Sequence, residues 1–201
     1  MKTDKAEEKP RTTNHKPQTK KAIFLDRDGT LIEEVNYLAR PEQLKLFPFA
    51  AEAIQLLNEN GFLVFLITNQ SGIGRKYFNE NDLREIHEKL IADLALMDAK
   101  LDAIYFCPHA PEDDCDCRKP KTGMIRQATR DFSIDLKNSW TIGDKALDVE
   151  TGFNAGTKTA LVLTGYGIKE REKLNENPDL IAENLLAAVK IICLNSASRN
   201  L

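Results

Sequence analysis

A chain of 201 residues, 42% hydrophobic and 29% charged, is long enough for one well-packed α/β-sized domain with room for a small insert. Its net charge of −3 provides no broad cationic field, which argues against duplex nucleic acid as a partner. No run is long and apolar enough to span a membrane, and the N-terminal stretch lacks the apolar core of a signal peptide, so the expected setting is the cytoplasm.

Residues 1–20 are polar and rich in Lys, Thr and Pro, and read as a disordered tail ahead of a single domain over residues 21–201. The first apolar run, Ala22–Asp26, predicts a buried strand. It leads into Phe24-Leu25-Asp26-Arg27-Asp28-Gly29-Thr30-Leu31, where two carboxylates stand one residue apart and Gly29 permits a sharp turn. A loop just past a strand can aim both carboxylates into one cleft. One carboxylate then suits a nucleophile and metal ligand, and the other a general acid/base. The pattern alone also fits a strand ending in a solvated acidic turn. Leu31–Phe47 is irregular and too short to fold as a cap, and its residues Glu34, Val35, Asn36, Tyr37 and Arg40 are placed to overhang such a cleft.

Phe49–Asn60 has a helical apolar stripe and stops at Gly61, a natural helix end. Phe62–Thr68 predicts a second strand. It runs into Thr68-Asn69-Gln70-Ser71-Gly72-Ile73-Gly74, which is either a polar turn or a hydroxyl and free backbone N–H groups facing an anion. Asp82–Met97 predicts a helix with Leu83, Ile86, Leu90, Leu94 and Met97 on one face, and His87 as a packing or helix-surface residue. A third strand, Ala103–Cys107, opens the segment Cys107-Pro108-His109 followed by Cys115-Asp116-Cys117. Three thiols and an imidazole within eleven residues fit tetrahedral Zn²⁺, and four protein ligands fill the shell, so the ion would be structural. A chance acidic loop is the alternative. Arg118 and Lys119 follow at once, and a pinned loop would aim both cations at a phosphate.

Gly123–Phe132 and Ala146–Ala155 predict helices on either side of a strand over Ser139–Gly143, and Thr157–Leu163 predicts a fifth strand. Asp144, after the fourth strand, is either a helix N-cap or, with Asp26 and Asp28, part of a hard oxygen site for Mg²⁺. Asp148 follows one helical turn later. Pro178–Leu194 reads as a short strand or turn and then a terminal helix in which Cys193 packs as a small hydrophobe. Continuous apolar runs alternating with amphipathic segments predict a doubly wound parallel sheet.

FLDRDGTL, TNQSG, RKPK and GDKALD, in this order over residues 22–167, resemble the four motifs of the haloacid dehalogenase superfamily of phosphohydrolases. The resemblance implies an α/β, Rossmann-like fold of that type, capless and with a zinc-binding loop. The C-x-H…C-x-C loop with CRKP, together with NQSGIGRKYF and TGYG, is similar to a branch that removes the 7-phosphate of a heptose bisphosphate on the way to heptose nucleotides. By that resemblance Asp26 forms an aspartyl-phosphate, Asp28 is the general acid/base, and Thr68 and Lys119 steady the phosphoryl group. Asp26, the backbone carbonyl of Asp28, and Asp144 bind Mg²⁺. Cys107, His109, Cys115 and Cys117 bind Zn²⁺. Glu34, Val35, Asn36, Tyr37, Thr68, Asn69, Gln70, Ser71, Arg118, Lys119 and Lys145 line the site of a phosphorylated sugar, in a monomer. Histidinol-phosphate phosphatases share CDCRKPK and define the alternative substrate. A non-catalytic, zinc-stabilised binding module is the alternative of another class, and the intact set Asp26, Asp28, Thr68, Lys119 and Asp144 speaks against it.

Overall fold

Six apolar segments pair into one sheet, and every pairing is parallel. In the computed structural model, which describes residues 19–197, they are β1 (Ala22–Leu25), β2 (Leu63–Asn69), β3 (Ala103–Cys107), β4 (Trp140–Gly143), β5 (Lys158–Val162) and β6 (Leu180–Ala182). Their spatial order is β3-β2-β1-β4-β5-β6. The chain winds outward from β1 in one direction, then returns to lay β4 on its other side. Such a reversal opens a crevice at the carboxyl ends of the two central strands. Residues 1–18, which hold nearly all of the expected tail, lie outside the described residues.

Alternation along each strand feeds two cores. Ile23, Leu25, Val64, Leu66, Ile142, Ala160 and Val162 meet apolar residues of α1 (Ala50–Glu59), α3 (Glu80–Ala95) and α7 (Leu185–Ala197) on one face. Ala22, Phe24, Phe65, Ile67, Tyr105 and Cys107 meet Met124, Ile125 and Ala128 of α4 (Gly123–Asp131) on the other. On this second face α5 (Ala146–Ala155) lies close against its strands, because a Cβ on Gly152 would come within 2.5 Å of the Thr159 methyl. Two short helices are also present: α2 (Ser71–Gly74), in the segment read as a polar or glycine-rich turn, and α6 (Gly167–Glu170). Among the described residues, no helix is long and apolar enough to cross a membrane.

The expected elements are all present; β3 and α5 have the expected ends, and the others are shifted by one to three residues at an end. β1, β4 and β5 are shorter than their apolar runs, and β2 extends one residue further, to Asn69. The third helix starts earlier than expected because Asn79 caps it. The Asn79 side chain accepts from the N–H groups of Asn81 and Asp82, while the Asp82 carboxylate accepts from Asn79 N–H. That helix also ends earlier. Asp98 takes a left-handed conformation (φ 53°), with Asp98 N–H bonded to the Ala95 carbonyl and Ala99 N–H to that of Leu94. Met97 therefore falls beyond the buried stripe and is 46% exposed. The 31–47 segment is irregular apart from a 3-10 turn at Pro41–Gln43, yet Leu31, Ile32, Leu38 and Leu44 anchor it in the core.

These layers set the scale of two expected losses. Leu66→Ala empties a fully buried site in β2 and should cost about 2–5 kcal/mol, whereas Asn79→Ala removes only a cap and should cost about 1 kcal/mol. Urea unfolding of both variants checks this. Equal losses would show that α3 is not held mainly by its buried face.

Candidate active site

Asp26 directly follows β1 and still donates its N–H to the Ile142 carbonyl of β4 (3.0 Å). Asp144 directly follows β4, and Asp148 lies in the first turn of α5. The three carboxylates are buried, and one oxygen of each lies within 4.8 Å of the others. Glycines make that convergence possible. A Cβ on Gly29 or Gly165 would sit 2.2 or 2.3 Å from Asp144 Oδ2, and one on Gly143 would sit 2.2 Å from Asp148 Oδ2. Asp144 does not cap the helix. Its Oδ2 accepts from Tyr166 N–H (2.8 Å), and its Oδ1 is buried with no hydrogen-bond partner.

Lys119 closes the group from the side. Its Nζ lies 2.9 Å from Asp26 Oδ1 and 2.6 Å from Asp148 Oδ1. Burial raises the Asp26 carboxyl, but the Lys119 and Lys145 cations outweigh it and hold Asp26 below its ordinary range. Burial and the Asp26 charge push Asp144 up to about 8. Burial, against Lys119, leaves Asp148 raised to about 6. An orphaned carboxylate oxygen in a cluster richer in carboxylates than in touching cations fits a hard divalent ion such as Mg²⁺. The sequence pattern pointed to Asp26, Asp28 and Asp144. The third converging carboxylate is instead that of Asp148, and its spacing of four from Asp144 was the available signal. The Asp28 side chain stands apart, bonded to Arg27 and Gln70, so the contact implied for Asp28 is through its backbone carbonyl.

Around this centre the end of β2 supplies Thr68 and Asn69. Thr68 is buried, and its hydroxyl accepts from Gln70 Nε2 (2.8 Å). Asn69 clamps the Lys119 backbone from both sides, Lys119 N–H donating to Asn69 Oδ1 (3.0 Å) and Asn69 Nδ2 to the Lys119 carbonyl (3.2 Å). A cavity of about 160 Å³ is lined by Glu34, Val35, Asn36 and Tyr37 opposite Asp28, Asn69, Gln70, Ser71 and Lys145. Lys145 reaches Glu34 across it (3.2 Å). Arg118 is not part of that lining, and its guanidinium donates to the His109 carbonyl (3.3 Å).

The cysteine loop gathers a second donor set. Cys107 Sγ lies 3.0 Å from Cys117 Sγ and 3.4 Å from Cys115 Sγ, and His109 Nδ1 lies 3.2 Å from Cys117 Sγ. None of the thiols is in a disulfide. Three sulfurs and one imidazole nitrogen within 4.8 Å of one another fit a tetrahedral Zn²⁺ shell. The loop is packed hard against the site: Gln70 N–H donates to the Cys107 carbonyl, and Gly74 N–H to that of Pro108 (both 2.8 Å).

The raised carboxylates make a stability prediction for chelated protein. A carboxyl lifted from 3.8 to about 8 binds protons in the folded state that the unfolded chain has released, so folded stability falls as pH rises through that window. The Tm in EDTA should decline from pH 5 to pH 8 more steeply than in Asp144→Asn. Added Mg²⁺ should raise Tm more at pH 8 than at pH 5. A Mg²⁺ effect of equal size at both values would count against the carboxylate cluster as its site.

A family model described as "HAD-hyrolase-like" matches residues 116–188. The D-glycero-D-manno-heptose-1,7-bisphosphate 7-phosphatase of Thermosynechococcus vestitus is 41% identical over 192 residues, covering 89% of this chain and 98% of its own. The D-glycero-beta-D-manno-heptose-1,7-bisphosphate 7-phosphatase of Pasteurella multocida is 42% identical over 180 residues, covering 86% and 97%. The crystal structure of D,D-heptose 1.7-bisphosphate phosphatase from B. bronchiseptica, complexed with magnesium and phosphate, superposes with a TM-score of 0.83 at 34% identity, covering 87% of this chain and 99% of that one. With its carboxylate cluster, parallel sheet and these end-to-end relatives, the chain belongs to the heptose-bisphosphate phosphatase family of haloacid-dehalogenase-like hydrolases.

Proposed function

We propose that this chain is a Mg²⁺-dependent phosphatase that removes the 7-phosphate of D-glycero-D-manno-heptose 1,7-bisphosphate, with Asp26 as nucleophile. The observation that carries the reading is the state of Asp26: buried, yet held as a carboxylate by Lys119 at 2.9 Å. Its Oδ1 accepts from both Lys119 and Arg27 N–H (2.8 Å), which leaves Oδ2 to attack phosphorus. As that bond forms, the bond from phosphorus to the sugar oxygen breaks, and Asp28 gives the leaving oxygen its proton. Asp28 then takes a proton from the water that attacks the aspartyl-phosphate, releasing phosphate and restoring Asp26. Lys119, the Thr68 hydroxyl and backbone N–H groups of the 68–74 turn receive the phosphoryl oxygens. Asp26, Asp144 and the Asp28 carbonyl, with Asp148 beside them, would hold Mg²⁺, which supplies charge to offset phosphate–carboxylate repulsion.

The rim from Glu34 to Tyr37, with Lys145, is the surface that reads the sugar, since among the described residues no cap domain covers the cleft. Arg118 lies outside that wall, and we assign it the distal part of the substrate. Thiols reserved for a metal rather than for disulfides suit a reducing compartment, so we read the setting as the cytoplasm and the enzyme as a monomer. The relatives named above favour the heptose bisphosphate over histidinol phosphate. Asp26→Asn should abolish turnover while leaving the fold intact, and EDTA should stop the wild type until Mg²⁺ returns. The intact enzyme should hydrolyse the 7-phosphate of the heptose bisphosphate in preference to its 1-phosphate, and with a higher kcat/KM than histidinol phosphate. The reverse order would reassign the substrate. Normal turnover by Asp26→Asn, with deamidation excluded by mass spectrometry, would rule out the covalent route.

Zinc at Cys107, His109, Cys115 and Cys117 is given a purely positional role. Cys117 precedes Arg118 and Lys119, and the Gly123 N–H donates back to the Asp116 carbonyl (3.1 Å), so the loop fixes the segment that carries the catalytic lysine. A misplacement of about 1 Å can cost on the order of a hundredfold in rate. Cys115→Ser should lose zinc, stability and most activity, while its residual activity still needs Mg²⁺. Zinc content measured beside kinetics decides it: a zinc-free variant with wild-type kcat/KM would remove the loop from any positioning role.

A further inference from the structure

Arg27, between the two carboxylates of the D-x-D pair, is 1% exposed and is among the largest side chains to be fully buried. A guanidinium taken out of water is costly unless its donors are satisfied. Nε lies 3.2 Å from both oxygens of Asp28, and Nη2 donates to Asp28 Oδ1 (3.0 Å) and to Gln70 Oε1 (3.1 Å). Gln70 in turn donates through Nε2 to Asp28 Oδ2 (3.1 Å) and to the Thr68 hydroxyl (2.8 Å). The proton-transferring carboxylate and the phosphate-holding hydroxyl thus hang on one hydrogen-bond network. Its far end is His87 of α3, whose Nε2 lies 3.3 Å from Arg27 Nη1.

We propose that His87 is a positioning residue for proton transfer: by accepting from Arg27, it fixes the guanidinium fork and so the place of the Asp28 carboxylate in the cleft. The proposal rests on the role given to Asp28 under Proposed function. Arginine has no acceptor to offer, so His87 Nε2 must accept and the ring proton must sit on Nδ1. Burial and the neighbouring Arg27 charge push His87 down to about 3, which keeps the ring neutral and Nε2 open. His87 is buried, with its ring edge toward Phe106 at 6.1 Å between centroids. It borders an outer cavity with Arg84 and Phe106 and is absent from the lining of the cleft, so it acts on substrate only through Arg27. Without it, Nη1 would be a buried donor without a described partner, which is costly. The guanidinium would turn to find another acceptor and carry Asp28 with it.

A packing role and a positioning role differ in what they do to leaving groups. A sugar oxygen must be protonated as it leaves, whereas p-nitrophenolate leaves without help. The test is kcat/KM of the Mg²⁺- and Zn²⁺-loaded enzyme on the heptose bisphosphate and on p-nitrophenyl phosphate. His87→Leu should lower the first about tenfold and the second less than about twofold, and His87→Gln, which restores an acceptor, should recover most of the loss. Equal losses on both substrates, or a Gln variant no better than Leu, would overturn the proposal. Asp28→Asn identifies which premise fails. It should show the same split, only larger. If it lowers both substrates alike, the general-acid role of Asp28 is wrong and the inference falls with it. Should His87→Leu not fold, Arg27→Lys keeps the charge without the fork. A wild-type ratio between the two substrates in that variant would equally overturn the proposal.

Discussion

Burying three carboxylates within 4.8 Å of one another is the constraint to which the rest of this structure answers. Carboxylates so close oppose one another's ionisation, and burial adds to the cost. Lys119 relieves part of it by touching two of the three, Asp26 and Asp148. The third, Asp144, keeps one oxygen without a partner, and this oxygen defines the need for a cation. Everything that fixes Lys119 therefore serves the cluster: the Asn69 clamp at the end of β2, the cysteine loop that precedes it, and the packing of that loop on the 68–74 turn. The lysine is bound from behind by backbone bonds and from the front by the charges it neutralises.

Much of this was legible along the chain, because local chemistry announces itself locally. The D-x-D pair, the C-x-H…C-x-C ligands and the apolar runs each depend on neighbours in sequence. The end of the first helix was legible for the same reason. Gly61, at φ 74°, marks it, with Phe62 N–H bonded back to the Leu57 carbonyl. The third helix ends with the same bond pattern at Asp98, a residue that tolerates the left-handed region without advertising it, so Met97 was placed on the wrong side of the boundary. Asp148 had a spacing signal, but one shared with any capping carboxylate, and it does accept the Lys145 N–H as well as Lys119. Arg27 had none. Besides the adjacent Asp28, its partners are supplied by residues 43 and 60 positions away, and nothing in a strand-end arginine foretells burial.

The two donor clusters differ in the chemistry of the ion each would suit. Oxygen atoms converge at the ends of β1 and β4, and sulfur with one imidazole gathers beyond β3. A hard ion gains little from thiolates, and a soft one has four closed ligands elsewhere. One wall of the open cleft is the anchored 31–47 segment, whose buried leucines let the loop present Glu34 to Tyr37 in one arrangement.

The site is also a non-local object. Asp26 is bonded to β4 through the Ile142 carbonyl, and the strand it extends is pinned by Ala22 N–H to the Ser139 hydroxyl, 117 positions away. None of the carboxylates can meet until β4 has slotted between β1 and β5, and Lys119 has no counter-charge before that. A chain emerging from its N-terminus carries Asp26 early, and the carboxylate cluster is incomplete until α5 has been made. Closing so long a loop is slow relative to helix formation. Return of activity on refolding therefore reports completion of the central pairing, and will trail the recovery of helical signal.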